Sequence, residues 1–365
     1  MTKKTWRALG LMSGTSLDGI DAAVVETDGE GLVVAGPATT VPYEPTLRER
    51  LRRALGARGP VKAVERDMTL AHADVVRGLL KQHGLKSADI DVIGFHGHTI
   101  LHRPREQLTW QIGDGGLLAA RTGIDVVCEF RNADVAEGGE GAPLVPLFHA
   151  ALAGELGRPV AVLNIGGVAN VTWLGAEGDI LAFDTGPGNA LIDDWMLAHT
   201  GRACDENGAC AARGKADHGI VARFLAHPYF SRTPPKSLDR NEFDPSSVER
   251  LSVEDGAATL TAFTAEAAAA ASQHFPAAVR RWIVTGGGRR NATLLQAIAS
   301  ATGVAVETAE QVGWDGDALE AQAFAYLAVR SLKGLPLSLP RTTGVARPMP
   351  GGQLFRYADG YGLTG

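Results

Sequence analysis

Twice along this chain, two β-branched runs are joined by a turn made of the smallest residues. Near the start, Trp6 to Met12 and Ile20 to Thr27 flank Ser13-Gly14-Thr15-Ser16-Leu17-Asp18-Gly19. Near the middle, Val160 to Asn164 and Asn170 to Leu174 flank Ile165-Gly166-Gly167-Val168-Ala169, and a third apolar run follows at Ile180 to Phe183. Strand, tight turn and strand in the same order predict that two α/β units open alike. Further strands are predicted near Leu32 to Ala35 and over Ile90 to Gly94, Ile124 to Cys128 and Trp282 to Thr285. Helical periodicity covers Leu47 to Leu55, Val64 to His83 and Asn291 to Ala301, with a last amphipathic helix within Gly316 to Gly334. Ser252-Val-Glu-Asp255 carries a capping-box signature ahead of an Ala-rich helix. Duplicated α/β halves with glycine turns between them predict a two-lobed fold with a central cleft. The expected lobes are residues 1–132 and 133–338, with 339–365 a tail returning to the first.

A chain of 365 residues is long enough to bury two such cores. Its formal net charge of −6 argues against non-specific nucleic-acid binding, which needs a concentrated basic surface. The densest basic run, Arg48 to Arg53, is interleaved with Glu49 and Leu51 and reads as the wet face of an amphipathic helix. The three cysteines, Cys128, Cys204 and Cys210, form no Cys-x-x-Cys pair, so neither a disulfide framework nor a thiolate zinc site is expected. No run approaches the ~18 apolar residues of a membrane span, and the start leads directly into a strand, so a cytoplasmic protein is expected.

The turn from Ser13 to Gly19 concentrates backbone N–H groups and hydroxyls at one point, as a cradle for phosphate oxygens does. Asp18 within it offers an oxygen ligand for Mg²⁺, directly or through water. The spacing is neither a P-loop nor a dinucleotide fingerprint, because a strand follows the turn. Alone, the same composition also makes an ordinary hydroxyl-stabilised hairpin. The second turn, with Gly166 and Gly167, is suited to clamping the same phosphates, and is equally the pattern of a bulged core hairpin. Gly286-Gly287-Gly288, after a buried strand, leaves a flat surface for a base and ribose, or else forms a helix-entry turn. Holding a polyphosphate from two sides is what phosphoryl transfer requires, so the pair of turns says more than either one.

Phe183-Asp184-Thr185-Gly186-Pro187-Gly188-Asn189 stands at a strand end, where reactive groups gather in open α/β sheets. Asp184 there suits a general base that accepts a proton from a hydroxyl or water. The competing reading is a turn Asp that caps the helix predicted over Leu191 to His199. Phe95-His96-Gly97-His98-Thr99-Ile100-Leu101-His102 places His96 and His98 on one face of a strand. With no acid or cysteine at ligand spacing, hydrogen bonding to sugar hydroxyls is the preferred use over a metal site. The irregular stretch from Pro228 to Asn241, with Lys236 and Arg240, has the make-up of a lid or of a plain surface excursion.

In combination these segments closely resemble the anhydro-N-acetylmuramic acid kinases, members of the hexokinase–Hsp70–actin superfamily. The match runs from Gly10-Leu-Met-Ser-Gly-Thr-Ser-Leu-Asp-Gly-Ile-Asp21 to Leu339-Pro-Arg-Thr-Thr-Gly344. Its most specific parts are that opening, Gly94-Phe-His-Gly97, Gln111-Ile-Gly-Asp114, Gly141-Ala-Pro-Leu-Val-Pro146, Leu163-Asn-Ile-Gly-Gly167 and Phe183 to Asn189. The resemblance implies an α/β actin-like ATPase or ribonuclease H-like fold. It implies a reaction in which ATP, water and 1,6-anhydro-N-acetylmuramic acid give N-acetylmuramic acid 6-phosphate and ADP, with Asp184 as the base. By the same resemblance, Gly14, Thr15, Ser16, Leu17, Asp18, Gly19, Ile20 and Asp21 bind ATP phosphates, Gly166, Gly167, Gly286, Gly287 and Gly288 complete the nucleotide site, and Asp18 serves Mg²⁺. Arg131 is expected to pair the lactyl carboxylate of the sugar, with His96 as a further substrate contact and Glu320 as a substrate or metal contact, or else an exposed helix carboxylate, in a homodimer. The sequence departs from the family pattern at Glu140 and His98, where Gln is usual or common. It also has Lys236-Ser-Leu-Asp-Arg-Asn241 where Lys-Ser-Thr-Gly-Arg-Glu is typical. These departures bear on specificity and leave the nucleotide loops untouched.

Overall fold

The computed structural model describes residues 5–14 and 17–359. The chain begins with β1 (Trp6–Ser13), β2 (Gly19–Thr27) and β3 (Val33–Pro42), then α1 (Pro45–Ala54) and α2 (Val61–Gln82). There follow β4 (Val92–Arg103), β5 (Leu108–Ile112), α3 (Gly115–Thr122), β6 (Val126–Cys128), α4 (Asn132–Ala136) and α5 (Pro146–Leu152). A second series runs β7 (Val160–Ile165), β8 (Val168–Leu174), β9 (Ile180–Pro187), α6 (Ala190–Thr200), α7 (His218–Leu225) and α8 (Val253–Ala270). The chain continues with β10 (Arg281–Thr285), α9 (Ala292–Thr302), β11 (Ala305–Thr308), α10 (Leu319–Leu332), α11 (Pro340–Thr343) and β12 (Gln353–Phe355).

Packing divides the chain into two units, Met1–Gly154 with Asp317–Gly365, and Glu155–Gly316. Both carry one sheet plan. In the first, the order is β12-β6-β4-β1-β2-β3, with β5 paired to β4. Strands β1, β2 and β3 are an antiparallel meander, and β4 and β6 run parallel to β1. In the second, the order is β11-β10-β7-β8-β9, with β7, β8 and β9 as the meander and β10 and β11 parallel to β7. Mixed α/β sheets with this plan are the ribonuclease H-like arrangement expected from the sequence.

The unit boundaries differ from those read in the sequence. Residues 133–154 pack with the first unit, and α10 does too, rather than with the chain that precedes it. The cause is a bare surface on the first sheet. Gly10 of β1 and Gly94 of β4 are register partners. A Cβ on Gly10 would lie 1.7 Å from the Ala321 carbonyl oxygen, and one on Gly94 would lie 2.0 Å from that of Phe324. The backbone of α10 therefore rests directly on two glycines, an approach that any side chain would block. Strand β12 then pairs antiparallel with β6. Elsewhere in this unit Leu9, Leu11, Leu51, Met68, Val76 and Phe95 form the buried centre.

In the second unit α8 is stapled at its start by Ser252 Oγ, which accepts from the Asp255 N–H at 3.1 Å. Beneath α8 an aromatic cluster gathers Phe230, Phe243 and Phe263, with Phe224 stacked on Phe263 at 4.6 Å. These rings hold the start of the irregular stretch from Pro228 to Asn241 against α8. The basic run on α1 is neutralised at the surface by Asp67 and Glu49, as a wet helix face requires.

Candidate functional site

The turn after β1 is tight. The Leu17 N–H donates to the Gly14 carbonyl at 3.1 Å, with Leu17 at φ 60°. Leu17 and Ile20 bury their side chains in the core, so only their main-chain groups are open to a ligand. Gly19 is needed for close approach to β3, since a Cβ there would meet the Val41 carbonyl oxygen at 2.5 Å. Asp18 is exposed and lies 3.5 Å from Arg48 Nη2. Asp21 accepts from Thr40 Oγ1 at 2.6 Å, and burial, with Asp317 and Asp18 nearby, raises its carboxyl above the ordinary range. Thr15 and Ser16 lie outside the described residues.

Arg131 and His96 form one hydrogen-bonded group. Arg131 donates to His96 Nε2 from Nε at 3.2 Å and from Nη2 at 3.0 Å, and its Nη1 reaches the Gly141 carbonyl at 2.6 Å. Because Nε2 accepts, the His96 proton sits on Nδ1 and donates to the Gly97 carbonyl at 2.9 Å. Burial, reinforced by the Arg131 charge, holds His96 well below its ordinary pKa, so the ring is neutral. Burial also lowers Arg131 to about 10, against the pull of Glu320 and Asp134. Three of the five guanidinium N–H groups are used, leaving two for an anion.

Glu320, in the first turn of α10, is exposed yet crowded. That crowding, then the nearby Asp21 carboxylate, raises its pKa, while Arg131 opposes the rise. The structure thus brings Arg131, His96, Glu320 and Asp21 into one electrostatic neighbourhood. His98 does not join them. Beyond the positive-φ Gly97 it turns to Ser13 Oγ, 3.1 Å from its Nδ1, and Ser13 Oγ accepts from Tyr43 OH at 2.7 Å.

In the second unit, the hairpin turn, the motif that ends β9 and the triple glycine pack together. The N–H groups of Gly188 and Asn189 donate to the carbonyls of Gly167 and Gly166 at 3.0 and 2.7 Å. A Cβ on Gly188 would lie 2.2 Å from the Gly166 carbonyl oxygen, and one on Gly286 would lie 2.4 Å from Asn164 Oδ1. Gly166, Gly167 and Gly287 are different. Added Cβ atoms there would find nothing nearer than 3.6, 3.8 and 3.6 Å. Protein packing does not require those three glycines, and the bare backbone they leave suits close approach by a phosphate or sugar.

Asp184 lies within β9, not at a helix start, so the capping alternative is overturned; Asn189 occupies the N-cap position of α6. The Asp184 carboxylate accepts from the Leu238 N–H at 2.9 Å, its own N–H donates to the Lys236 carbonyl at 3.0 Å, and its carbonyl accepts from Tyr229 OH. The side chain stays partly open, so the carboxylate is oriented and reachable at once. A positioned carboxylate with one oxygen held by a backbone N–H is suited to taking a proton from a water or hydroxyl.

Two residues escaped the sequence reading. Asp134 is buried and accepts from the Gly141 N–H at 2.7 Å, from Thr343 Oγ1 at 2.6 Å and from Ser338 Oγ. It thereby ties the segment bearing Arg131 to the chain around α11. Two of these three partners, Ser338 and Thr343, lie some two hundred positions away, and no local pattern signals them. Lys236 is buried as well, although the sequence presents it in a stretch read as a lid or a plain surface excursion, with no role for its side chain. Among the described residues no group of three His, Cys, Asp or Glu side chains is arranged to hold a metal ion, and no helix is long and apolar enough to cross a membrane. The three cysteines are free thiols.

Comparison with known proteins supplies a family. The model of the family described as anhydro-N-acetylmuramic acid kinase matches residues 6–357. A relative of that name from Paramagnetospirillum magneticum is 59% identical over 349 residues, covering 95% of this chain and 98% of its own. Another so named, from Rhodospirillum rubrum, is 54% identical, covering 98% and 96%. A third, from Rhizorhabdus wittichii, is 54% identical, covering 96% and 98%.

Proposed function

The chain belongs to the anhydro-N-acetylmuramic acid kinase family, and on that premise we propose that it opens 1,6-anhydro-N-acetylmuramic acid with water while phosphorylating O6. The observation that carries the chemistry is the Asp184 carboxylate, held by the Leu238 N–H and still accessible. The substrate has no free 6-hydroxyl, so phosphorylation demands ring opening. Asp184 takes a proton from water as the water oxygen bonds to C1. The C1–O6 bond breaks, and O6 accepts the γ-phosphoryl group of ATP as ADP leaves. The products are N-acetylmuramic acid 6-phosphate and ADP, a step in recycling cell-wall sugar.

Other residues bind and orient. Arg131, with two N–H groups unspent and His96 fixing its plane, pairs the lactyl carboxylate. Glu320 and His96 complete the sugar contacts. The open backbone at Gly166, Gly167 and Gly287, with Gly286 and Gly288 beside it, receives the nucleotide, and the turn from Gly14 to Asp21 receives phosphate oxygens. Mg²⁺, when bound, neutralises phosphate charge. Asp18, whose side chain is exposed, would offer it a carboxylate oxygen, directly or through water. The reaction belongs to the cytoplasm, where ATP is available, with a homodimer as the assembled form.

The test is incubation with Mg-ATP in ¹⁸O-labelled water, with and without the anhydro sugar. Sugar-dependent ADP, with one phosphoryl group and one labelled oxygen added to the product, is expected. ADP release indifferent to the sugar would remove this substrate and leave only nucleotide hydrolysis.

A further inference from the structure

We infer that Lys236 is a positioning residue for the Asp184 carboxylate, its side chain locking together the two stretches of chain that bond Asp184. The inference rests on reading Asp184 as the base. One stretch is the turn Pro228–Ser231 and the other ends at Leu238. Lys236 Nζ donates to the Tyr229 carbonyl at 3.2 Å and the Phe230 carbonyl at 3.3 Å, and lies 3.4 Å from His274 Nε2. It sits 4.7 Å from the Tyr229 ring centre and 5.7 Å from that of Phe183. Three of these ties lead back to Asp184. Phe183 precedes it in the chain, Tyr229 OH donates to its carbonyl, and the Lys236 carbonyl accepts its N–H.

A cation in this position is costly unless its charge is used. Lys236 is 5% exposed, and among the described residues no carboxylate offsets the burial of its charge. Two carbonyl dipoles and two ring faces take the charge instead. A methionine or leucine would fill the space without desolvating an ammonium. What the charge adds is attraction that pulls the Tyr229 turn and the Phe183 ring together across the base.

This arrangement makes the position of Asp184 depend on pH. The titratable and charged groups that act on Nζ are His274, Tyr229 and Arg232. Burial, with Arg232 contributing, lowers Lys236 to about 8, and burial and Lys236 together keep His274 below its ordinary value. Lys236 is therefore charged below about pH 8 and loses its grip above it. The folded pKa lies below the unfolded value of 10.5, so proton loss between about 8 and 10.5 relieves a burial cost and favours the fold. Activity and the Lys236 contribution to stability thus move in opposite directions as pH rises. A lysine that only filled space would not separate them.

The experiment measures kcat, both KM values and thermal midpoint from about pH 6 to about pH 10 for the full chain and four variants. The wild type is expected to lose kcat through about pH 8. Lys236→Met should lower kcat about 10- to 100-fold, leave both KM values within about threefold, and abolish the alkaline limb. Lys236→Arg, charged throughout, should retain more activity and also lack the limb. Tyr229→Phe should lower kcat severalfold and keep the limb. Wild-type kcat and an unchanged limb in Lys236→Met overturn the inference; if that variant does not fold, an unchanged limb in Lys236→Arg overturns it equally. Asp184→Asn separates the two readings. Retained turnover there sinks the base assignment and this inference with it, whereas loss of turnover beside unaffected lysine variants sinks this inference alone.

Discussion

Arg131 directs two N–H groups onto a single nitrogen, His96 Nε2, at 3.2 and 3.0 Å. One acceptor shared between Nε and Nη2 fixes the guanidinium plane, while Nη1 is anchored on Gly141. A fixed, always-charged fork recognises a carboxylate at small further entropic cost, which a flexible ammonium does not. Arg131→Lys is therefore expected to raise the KM for the anhydro sugar about 10- to 100-fold, with kcat at saturation little changed. Since His96 is held neutral well below its ordinary pKa, sugar affinity should stay flat from neutrality down to about pH 6. Titration calorimetry with the sugar across that range checks both statements.

The glycines of the second unit separate ligand binding from packing. Gly167→Ala meets nothing nearer than 3.8 Å, so its thermal midpoint should match the wild type. If the bare backbone receives phosphates, its KM for ATP should nonetheless rise about tenfold or more, since the added methyl intrudes only on the ligand. Gly188→Ala, with 2.2 Å to the Gly166 carbonyl oxygen, should lose stability instead. Paired melting curves and ATP titrations distinguish the two.

Asp184→Asn keeps an oxygen for the Leu238 N–H and removes only the basicity. A fall in kcat of about 10²- to 10⁴-fold with an unaltered melting curve is expected. A wild-type rate in this variant would move the base elsewhere.

Acid should weaken the first unit before carboxylates titrate. His72, His98 and His149 are buried, and desolvation leads the causes that lower each to about 4 from 6.5. A depressed folded pKa means the unfolded chain takes up protons first, so stability is lost as pH falls below about 6.5. Each histidine contributes up to about 3 kcal/mol of that loss by pH 4. Urea titrations at stepped pH, with His149→Gln flattening part of the slope, check the sign.

The glycine turns were legible as turns because each is local. A glycine turn between β-branched runs announces itself within ten residues, and Asp184 at a strand end follows from the run before it. The capping alternative failed because helix starts depend on the dihedrals of Gly186 to Asn189, which composition does not set. The partition of the chain was legible only in part: two lobes and a returning tail were expected, but not that residues 133–154 and the helix from Leu319 join the first unit. Nothing near Leu319 says that this helix belongs with strands at Gly10 and Gly94, since the signal is a pair of missing side chains far upstream. Asp134 and Lys236 were hidden for a related reason. Their partners are main-chain carbonyls, main-chain N–H groups or distant hydroxyls, which leave no spacing to read.

The glycine seat beneath α10 also sets an order on biosynthesis. The second unit is one continuous stretch, Glu155–Gly316, and can close while the ribosome is still at work. The first unit waits for Asp317–Gly365, so its sheet leaves the ribosome with the Gly10 and Gly94 surface uncovered. Between those moments the nascent chain holds a finished domain inserted within an unfinished one. The uncovered strands are then the segment most in need of a chaperone.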